Sequence, residues 1–275
     1  MSRLANELLA AYQIALNAAD LVRQYTGNTI TVQMKDGDEP VTEADRRASE
    51  LIVAKLSVAF PDDAILSEEA PDDGSRLRNR RVWMVDPIDG TKDFIRGDIG
   101  YAVMIGLAID GVPELGVVAQ PANRKTYAAV VGGEHFVEFE GTRRPLRSST
   151  LAALSGIRLV ASKHHRSPKI NAIRARLKIE DEFNTGGVGL KLGLIAEDAR
   201  DLFVYPGTHT KLWDTCGPQA ILQAAGGRLT DLDGAPLIYN TPELHNLRGL
   251  IASNGPLHDG VVAAVKEALA GMPLD

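Results

Sequence analysis

Residues 81–93 read RVWMVDPIDGTKD. The run Val82-Trp83-Met84-Val85 is short and apolar, the composition of a strand buried on both faces. It stops on Asp86, and Asp89 follows with Gly90 and Thr91 directly behind it. Pro87 fixes φ and offers no N–H, so the chain is expected to leave the sheet between the two acids in a tight turn. Two carboxylates held that close repel, and each raises the other's pKa unless a cation stands between them. A divalent metal is the simplest such cation, because the two acids and the carbonyl of Ile88 are hard oxygen donors of the kind Mg2+ prefers. Taken alone, Asp-Pro and Asp-Gly pairs mark ordinary turns equally well, and the rest of the sequence has to decide.

A chain of 275 residues can bury a sizeable core, as one large domain or as two smaller ones. Its apolar content is ordinary, which argues against disorder. The formal net charge of −6 provides no basic field for a nucleic-acid polymer. A small anionic ligand is not excluded, since bound cations invert the local charge. Cys216 is the single cysteine, so no internal disulfide can form and nothing points to an oxidising compartment. The N-terminal stretch MSRLANELLAAYQIALNAADLVRQY is amphipathic and interrupted by Asn6, Glu7, Gln13 and Asp20, unlike a signal peptide. No apolar run approaches the ~20 residues a bilayer span requires. A soluble cytoplasmic protein without a membrane span is expected, and a homodimer is compatible with the sequence.

Residues 3–26 place apolar side chains at helical spacing, and Gly27 stops them. Thr42 reads as an N-cap with Asp45 in the manner of a capping box, opening a helix to about Phe60. Ala64-Ile65-Leu66 reads as a short strand delivering Glu68 and Glu69. From Tyr101 to Glu140 the pattern becomes an antiparallel meander, YAVMIGLAID, ELGVVAQP, KTYAAVV and HFVEF. Residues 141–156 are polar and small, and no element is assigned there. From Ile157 strands and helices alternate: IRLVAS, helix 167–177, a strand near 180–184, helix 190–199, LFVY, helix 214–225, RLTDL, GLIAS and a terminal helix 257–270. The expected fold is α+β, with the meander in residues 1–148 and an alternating α/β half in 149–275.

Several other residues carry chemistry. Glu68 and Glu69 are adjacent, so on an extended chain they point to opposite sides and only one can ligate a given metal. They also read as a solvated acidic turn. Asp214 reads as the N-cap of the helix DTCGPQAILQAAGG, a place where free N–H groups also favour an anion. Asp45 reads as a first-turn acid stabilised by the helix dipole. Lys35 reads as a solvated loop charge, and His165 as a surface histidine beside a basic cluster as readily as a ligand contact. Cys216 lies on an apolar helix and reads as a small buried hydrophobe, not a nucleophile.

The strings DPIDGTKDF (86–94) and LSEEA (66–70) together resemble the signature of the inositol monophosphatase superfamily. Thr-Lys after the Asp-Gly resembles its 3'(2'),5'-bisphosphate nucleotidase branch. PVTEAD (40–45), WDTCGP (213–218), Ser162-Lys163-His164-His165 and Gly187-Val188-Gly189-Leu190-Lys191 are similar to further family motifs, and the likeness runs from Lys35 to about Ser253. It implies a layered α-β-α-β sandwich of the sugar-phosphatase type. It also implies a lithium-sensitive phosphomonoesterase using two or three Mg2+ ions, held by Glu68, Asp86, the Ile88 carbonyl, Asp89 and Asp214 in a cleft between the halves. Glu69 would act through water, and Lys35 matches a family lysine. Asp45 would take the proton of the Thr91 hydroxyl during attack by water, while amides of Gly90 and Thr91 cradle the phosphate. Ser162, His165, Gly187 and Lys191 would contact substrate, Lys191 pairing with a second phosphate away from the metals. The implied reaction removes the 3'-phosphate of adenosine 3',5'-bisphosphate, or of its sulfated relative, a place in sulfur metabolism. An inositol- or sugar-monophosphatase is the alternative. A metal-binding protein without turnover has no use for an Asp45–Thr91 pair.

Overall fold

Apolar side chains recurring every three or four residues fold the start of the chain into α1 (Ala5–Gln24), with Leu8, Ala11, Tyr12, Ala15, Ala19 and Val22 among its buried positions. The computed structural model describes residues 4–27, 30–35, 40–163 and 167–272. A short antiparallel pair, β1 (Val32–Met34) and β2 (Pro40–Thr42), leads into α2 (Glu43–Ala59). Thr42 caps that helix as expected: its side chain accepts from Asp45 N, and the Asp45 carboxylate accepts from Thr42 N.

β3 (Ala64–Ser67) runs parallel to β4 (Arg81–Asp89). A meander of β5 (Ala102–Ile109), β6 (Val112–Gln120), β7 (Lys125–Val130), β8 (His135–Phe139) and β9 (Thr142–Pro145) completes a seven-stranded sheet in that order. β4 departs from the expected turn, because it does not stop at Asp86. Asp86 opposes Met104 and Asp89 opposes Ala102, so Pro87 and Ile88 together face only Val103. This is a β-bulge, one of the few places in a sheet that accept proline, since the extra residue needs no ladder hydrogen bond. The acids are therefore set by a kink inside a buried strand. β9 is the second departure, lying where no element was expected. A two-residue turn at Glu140-Gly141, both at positive φ, folds it back on β8. All four of its residues are exposed, so no apolar alternation marks it. Arg143 instead lays its guanidinium over Phe136 at 4.1 Å.

The remaining elements are β10 (Arg158–Ser162), α4 (Pro168–Leu177), β11 (Asp181–Thr185), α5 (Val188–Ala196), β12 (Leu202–Tyr205), α6 (Leu212–Ala224), β13 (Arg228–Thr230), β14 (Leu250–Ser253) and α7 (His258–Ala268). The strands form a mixed sheet in the order β11-β10-β12-β14-β13. α5 begins earlier than the expected residue 190 because Gly187 caps it with no side-chain hydrogen bond to signal the start. α6 likewise begins before Asp214, which stands inside its first turn and not at its cap.

α1 and α2 pack on one face of the large sheet through a core that includes Trp83, Val85, Val103 and Ile105. The other face, with Met104, Val118 and Tyr127, meets α5, α6 and the inner face of the second sheet through Leu190, Ile221, Val160 and Phe203. Leu159, Leu202, Val204 and Ile251 point the other way along the same strands and are covered by α4 and α7. The expected α-β-α-β layering is present, with this outer helical pair as a further layer. No helix among the described residues is long and apolar enough to cross a membrane.

One contact sets how deep α6 lies. Gly106 and Gly116 are paired across β5 and β6, directly beneath Gly217. A Cβ on Gly116 would fall 1.9 Å from Gly217 O, and one on Gly106 would fall 2.4 Å from Gly217 N. Helix backbone thus rests on sheet backbone, one turn from Asp214. Gly116→Ala has no flexible neighbour to displace and must push the helix outward, a strain costing about 1–3 kcal/mol or more. Urea unfolding should show this loss, and a change below about 0.5 kcal/mol would mean that α6 is not held at this depth.

Candidate active site

β3 hands the chain to Glu68 and Glu69, which stand in a turn where Glu68 N donates to Val85 O at 3.1 Å. The two side chains do not diverge as an extended chain would require. Both reach Lys35, whose Nζ lies 3.1 Å from Glu68 Oε1 and also donates to Glu69 Oε1. Lys35 is therefore an ion-pair partner and not a solvated loop charge. Burial pulls its ammonium down, but the two glutamates outweigh this and hold it above its ordinary value. Burial raises the Glu69 carboxyl.

The bulge fixes Asp86 and Asp89, and α6 brings Asp214. Asp86 is 2 % exposed and turns one oxygen back to accept from Ile88 N at 3.0 Å. Asp89 reaches across to the second half of the chain, where Gly189 N donates to its Oδ2 at 2.8 Å. Asp214 closes the first turn of α6, its Oδ2 accepting from Lys211 N at 2.7 Å. Burial and then the charges of Glu68, Asp89 and Asp214 push the Asp86 carboxyl well above the usual range. Asp214, open to the cavity on one side, is pushed the same way by desolvation and by Asp89 and Glu68. Asp89 is raised by burial, although Lys191 and two backbone N–H groups pull against it.

Thr91 opens the short helix α3 (Thr91–Arg96) behind Gly90. Its Oγ1 lies 3.0 Å from Ile88 O and 3.2 Å from Asp45 Oδ1, so its single proton can be directed to either. Asp45 is fixed at the start of α2, where its Oδ2 accepts from Thr42 N at 2.8 Å and Thr42 Oγ1 at 2.5 Å. Burial raises its pKa in spite of those donors. The helix cap and the contact to Thr91 thus use different oxygens of one carboxylate.

Residues from both halves line a cavity of ≈ 250 Å³: Glu68, Asp89, Gly90, Thr91 and Lys92 from the first, Ser162, Gly187, Lys191, Phe203, Tyr205, His209 and Asp214 from the second. A larger cavity of ≈ 640 Å³, between residues 154–158 and 176–181, includes none of these groups. Ser162 ends β10 at the cavity wall, while His165 lies outside the described residues. Lys191 departs from its expected place apart from the metal-site acids. It is 4 % exposed, donates to Gly186 O and Gly187 O at 2.9 Å each, and faces the Phe203 ring at 5.4 Å. Burial pushes it down to about 8, against the pull of Asp89 and Asp93. Phe203, Tyr205 and His209 escaped the sequence reading. LFVY read only as a strand, and what marks its aromatics is that β12 neighbours the strand carrying Ser162.

The donor set suits a hard divalent cation: carboxylates and a carbonyl, buried and mutually repelling. Among the described residues no group of three or more histidines, cysteines or acids stands close enough together to hold a metal ion without adjustment. Asp86, Asp89 and Asp214 each accept a backbone N–H through one carboxylate oxygen.

The chain is similar to known proteins along most of its length. The pattern of the inositol monophosphatase family matches residues 4–270. A 3'(2'),5'-bisphosphate nucleotidase CysQ from Aggregatibacter actinomycetemcomitans is 31 % identical over 233 residues, 84 % of this chain and 86 % of its own. A histidinol-phosphatase from Mycobacterium tuberculosis is 32 % identical over 270 residues, 94 % of this chain and 96 % of its own. The IMPase structure from Thermotoga maritima superposes with a TM-score of 0.82 at 26 % identity, covering 98 % of this chain and all of that one.

Like charges in the cluster destabilise the metal-free fold. The raised carboxyls bind protons more tightly when folded, so the metal-free protein gains stability as pH falls toward their range. Asp86→Asn in excess chelator should therefore raise Tm, by about 2–4 °C for each kcal/mol of repulsion relieved. It should also shrink the Tm rise that Mg2+ produces. A variant no more stable than wild type in chelator would show that the acids do not repel.

Proposed function

Because the chain belongs to the inositol monophosphatase family and is by that membership a phosphatase, we propose that it is a Mg2+-dependent bisphosphate nucleotidase. It releases the 3'-phosphate of adenosine 3',5'-bisphosphate, or of its sulfated relative, to water. One observation carries the reading. A single cavity joins Glu68, Asp89, Asp214 and the Thr91 hydroxyl to Lys92, Ser162, His209 and the rings of Phe203 and Tyr205. The first set suits the chemistry of a phosphate ester, and the second suits an anionic group and a heteroaromatic base.

Glu68, Asp86, the Ile88 carbonyl, Asp89 and Asp214 would hold the two or three Mg2+ ions, with Glu69 acting through water. Bound Mg2+ supplies a Lewis acid that neutralises the phosphoryl oxygens and makes water more acidic. The chain does the rest. Thr91 Oγ1, when its proton points to Asp45, keeps its lone pairs to accept a proton from the attacking water. Asp45 receives the Thr91 proton, and its raised proton affinity makes it the better acceptor. The Thr42 donors hold the other Asp45 oxygen, so the receiving one stays aimed. Backbone N–H groups of Gly90 and Thr91 cradle the phosphoryl oxygens.

The length of the match to a histidinol-phosphatase favours a second reading. Histidinol phosphate, however, ends in an amine and an imidazole, and the wall presents Lys92 and His209 to them. Inositol phosphate offers neither a base for the aromatic rings nor a second anion. Phosphate release from the bisphosphate nucleotide, histidinol phosphate and inositol phosphate should rank the nucleotide first in kcat/KM, need Mg2+, and be inhibited by lithium. Histidinol phosphate or inositol phosphate in first place would reassign the substrate. Thr91→Ala keeps every metal donor but removes the relay, and kcat should fall by about 10²-fold or more with KM little changed. A kcat within a few-fold of wild type would remove Thr91 and Asp45 from the proton path.

A further inference from the structure

Asp93 follows the catalytic turn, is 1 % exposed, and has no part in the chemistry above. Its carboxylate fills space that only glycines leave open. A Cβ on Gly186 would fall 1.7 Å from Asp93 Oδ2, and one on Gly100 would fall 2.4 Å from the same oxygen. Gly90 stands at the same junction, where a Cβ would meet Gly100 O at 2.6 Å and Gly187 N at 3.3 Å. The turn after Asp89, the return segment at Gly100 and the Gly186-Gly187 turn thus meet backbone to backbone. On the other side of that last turn, Lys191 binds both of its carbonyls. The turn is clasped between an anion and a cation, and it forms part of the cavity wall. Asp93 and Gly186 also separate this cavity from a neighbouring one of ≈ 370 Å³.

We propose that Asp93 is a positioning residue, which seats the Gly186-Gly187 turn against the catalytic turn and so sets the affinity for the part of the substrate beyond the scissile phosphate. The proposal rests on the nucleotidase reading for the identity of that part. Without the carboxylate the two cavities merge and the wall can slump into the gap. The metal donors stay in place, because Asp89 keeps its bond from Gly189 N. The loss therefore falls on substrate binding and not on the reacting groups.

The test compares Asp93→Ala and Gly186→Ala with wild type on two esters, the bisphosphate nucleotide and 4-nitrophenyl phosphate, with a thermal-shift titration by Mg2+ alone. Asp93→Ala should raise KM for the nucleotide roughly tenfold, with kcat, the small ester's KM and the Mg2+ midpoint each within about threefold. Asp93→Asn, which keeps the volume, should recover most of the KM. Gly186→Ala pushes the same turn away while keeping the carboxylate, and should give the same selective rise even if Asp93→Ala does not fold. An unchanged nucleotide KM in these variants overturns the proposal, as does an equal loss on both esters or a shifted Mg2+ midpoint. If wild type prefers another ester, the nucleotidase reading fails, and Asp93 is judged by the same contrast between that ester and 4-nitrophenyl phosphate.

Discussion

Carboxylates that repel one another are kept close in a buried cleft, and most of the surrounding structure serves to hold them there. Each is tied by a backbone N–H from a different part of the fold: Asp86 from its own bulge, Asp89 from α5, Asp214 from the cap of α6. A backbone donor stabilises the charged form without neutralising it, unlike an arginine partner. The site thus keeps a surplus of negative charge that a bound cation can relieve. Stability is given up locally for that purpose, the usual sign of a functional site in an otherwise consistent fold.

The same constraint explains the glycines. α6 must lie deep enough to bring Asp214 to the bulge, and only Gly106, Gly116 and Gly217 permit the approach. The turn at Gly186-Gly187 must come close enough for Gly189 N to reach Asp89. A side chain at Gly106, Gly116, Gly187 or Gly217 would move an acid and not merely crowd the core.

Local signals were legible in the sequence. The capping box at Thr42 and Asp45 lies within one turn of helix, and β-branched or apolar runs gave most strands. The bulge was half legible. Proline between two acids signalled a break, but whether the strand turns or kinks depends on its pairing with Ala102 and Met104, far along the chain. Lys35 bridging Glu68 and Glu69 was not legible, because no spacing rule connects a loop lysine to a turn so distant in sequence. The place of Lys191 was not legible for a related reason. A lysine at a helix start does not reveal that two carbonyls of the preceding turn accept from its ammonium. β9 has no apolar face to read, and its stacked Arg143 counts as solvated in any hydropathy pattern.

On the proposed reading, catalysis and selectivity are built from different material. The acids and the Thr91–Asp45 pair sit on the turn after β3, on β4, and at the starts of α2, α3 and α6, where burial and backbone hydrogen bonds leave little freedom. The wall that meets the rest of the substrate comes from strand ends and a glycine turn of the second sheet, where side chains can change without disturbing the charge balance. A chain can therefore be nearly equally similar to a nucleotidase and to a histidinol-phosphatase. Similarity over the whole length is dominated by the fold and the acids, which such phosphatases share. On the nucleotidase reading, discrimination falls to the cavity wall, where Lys92 offers a cation to a second anionic group.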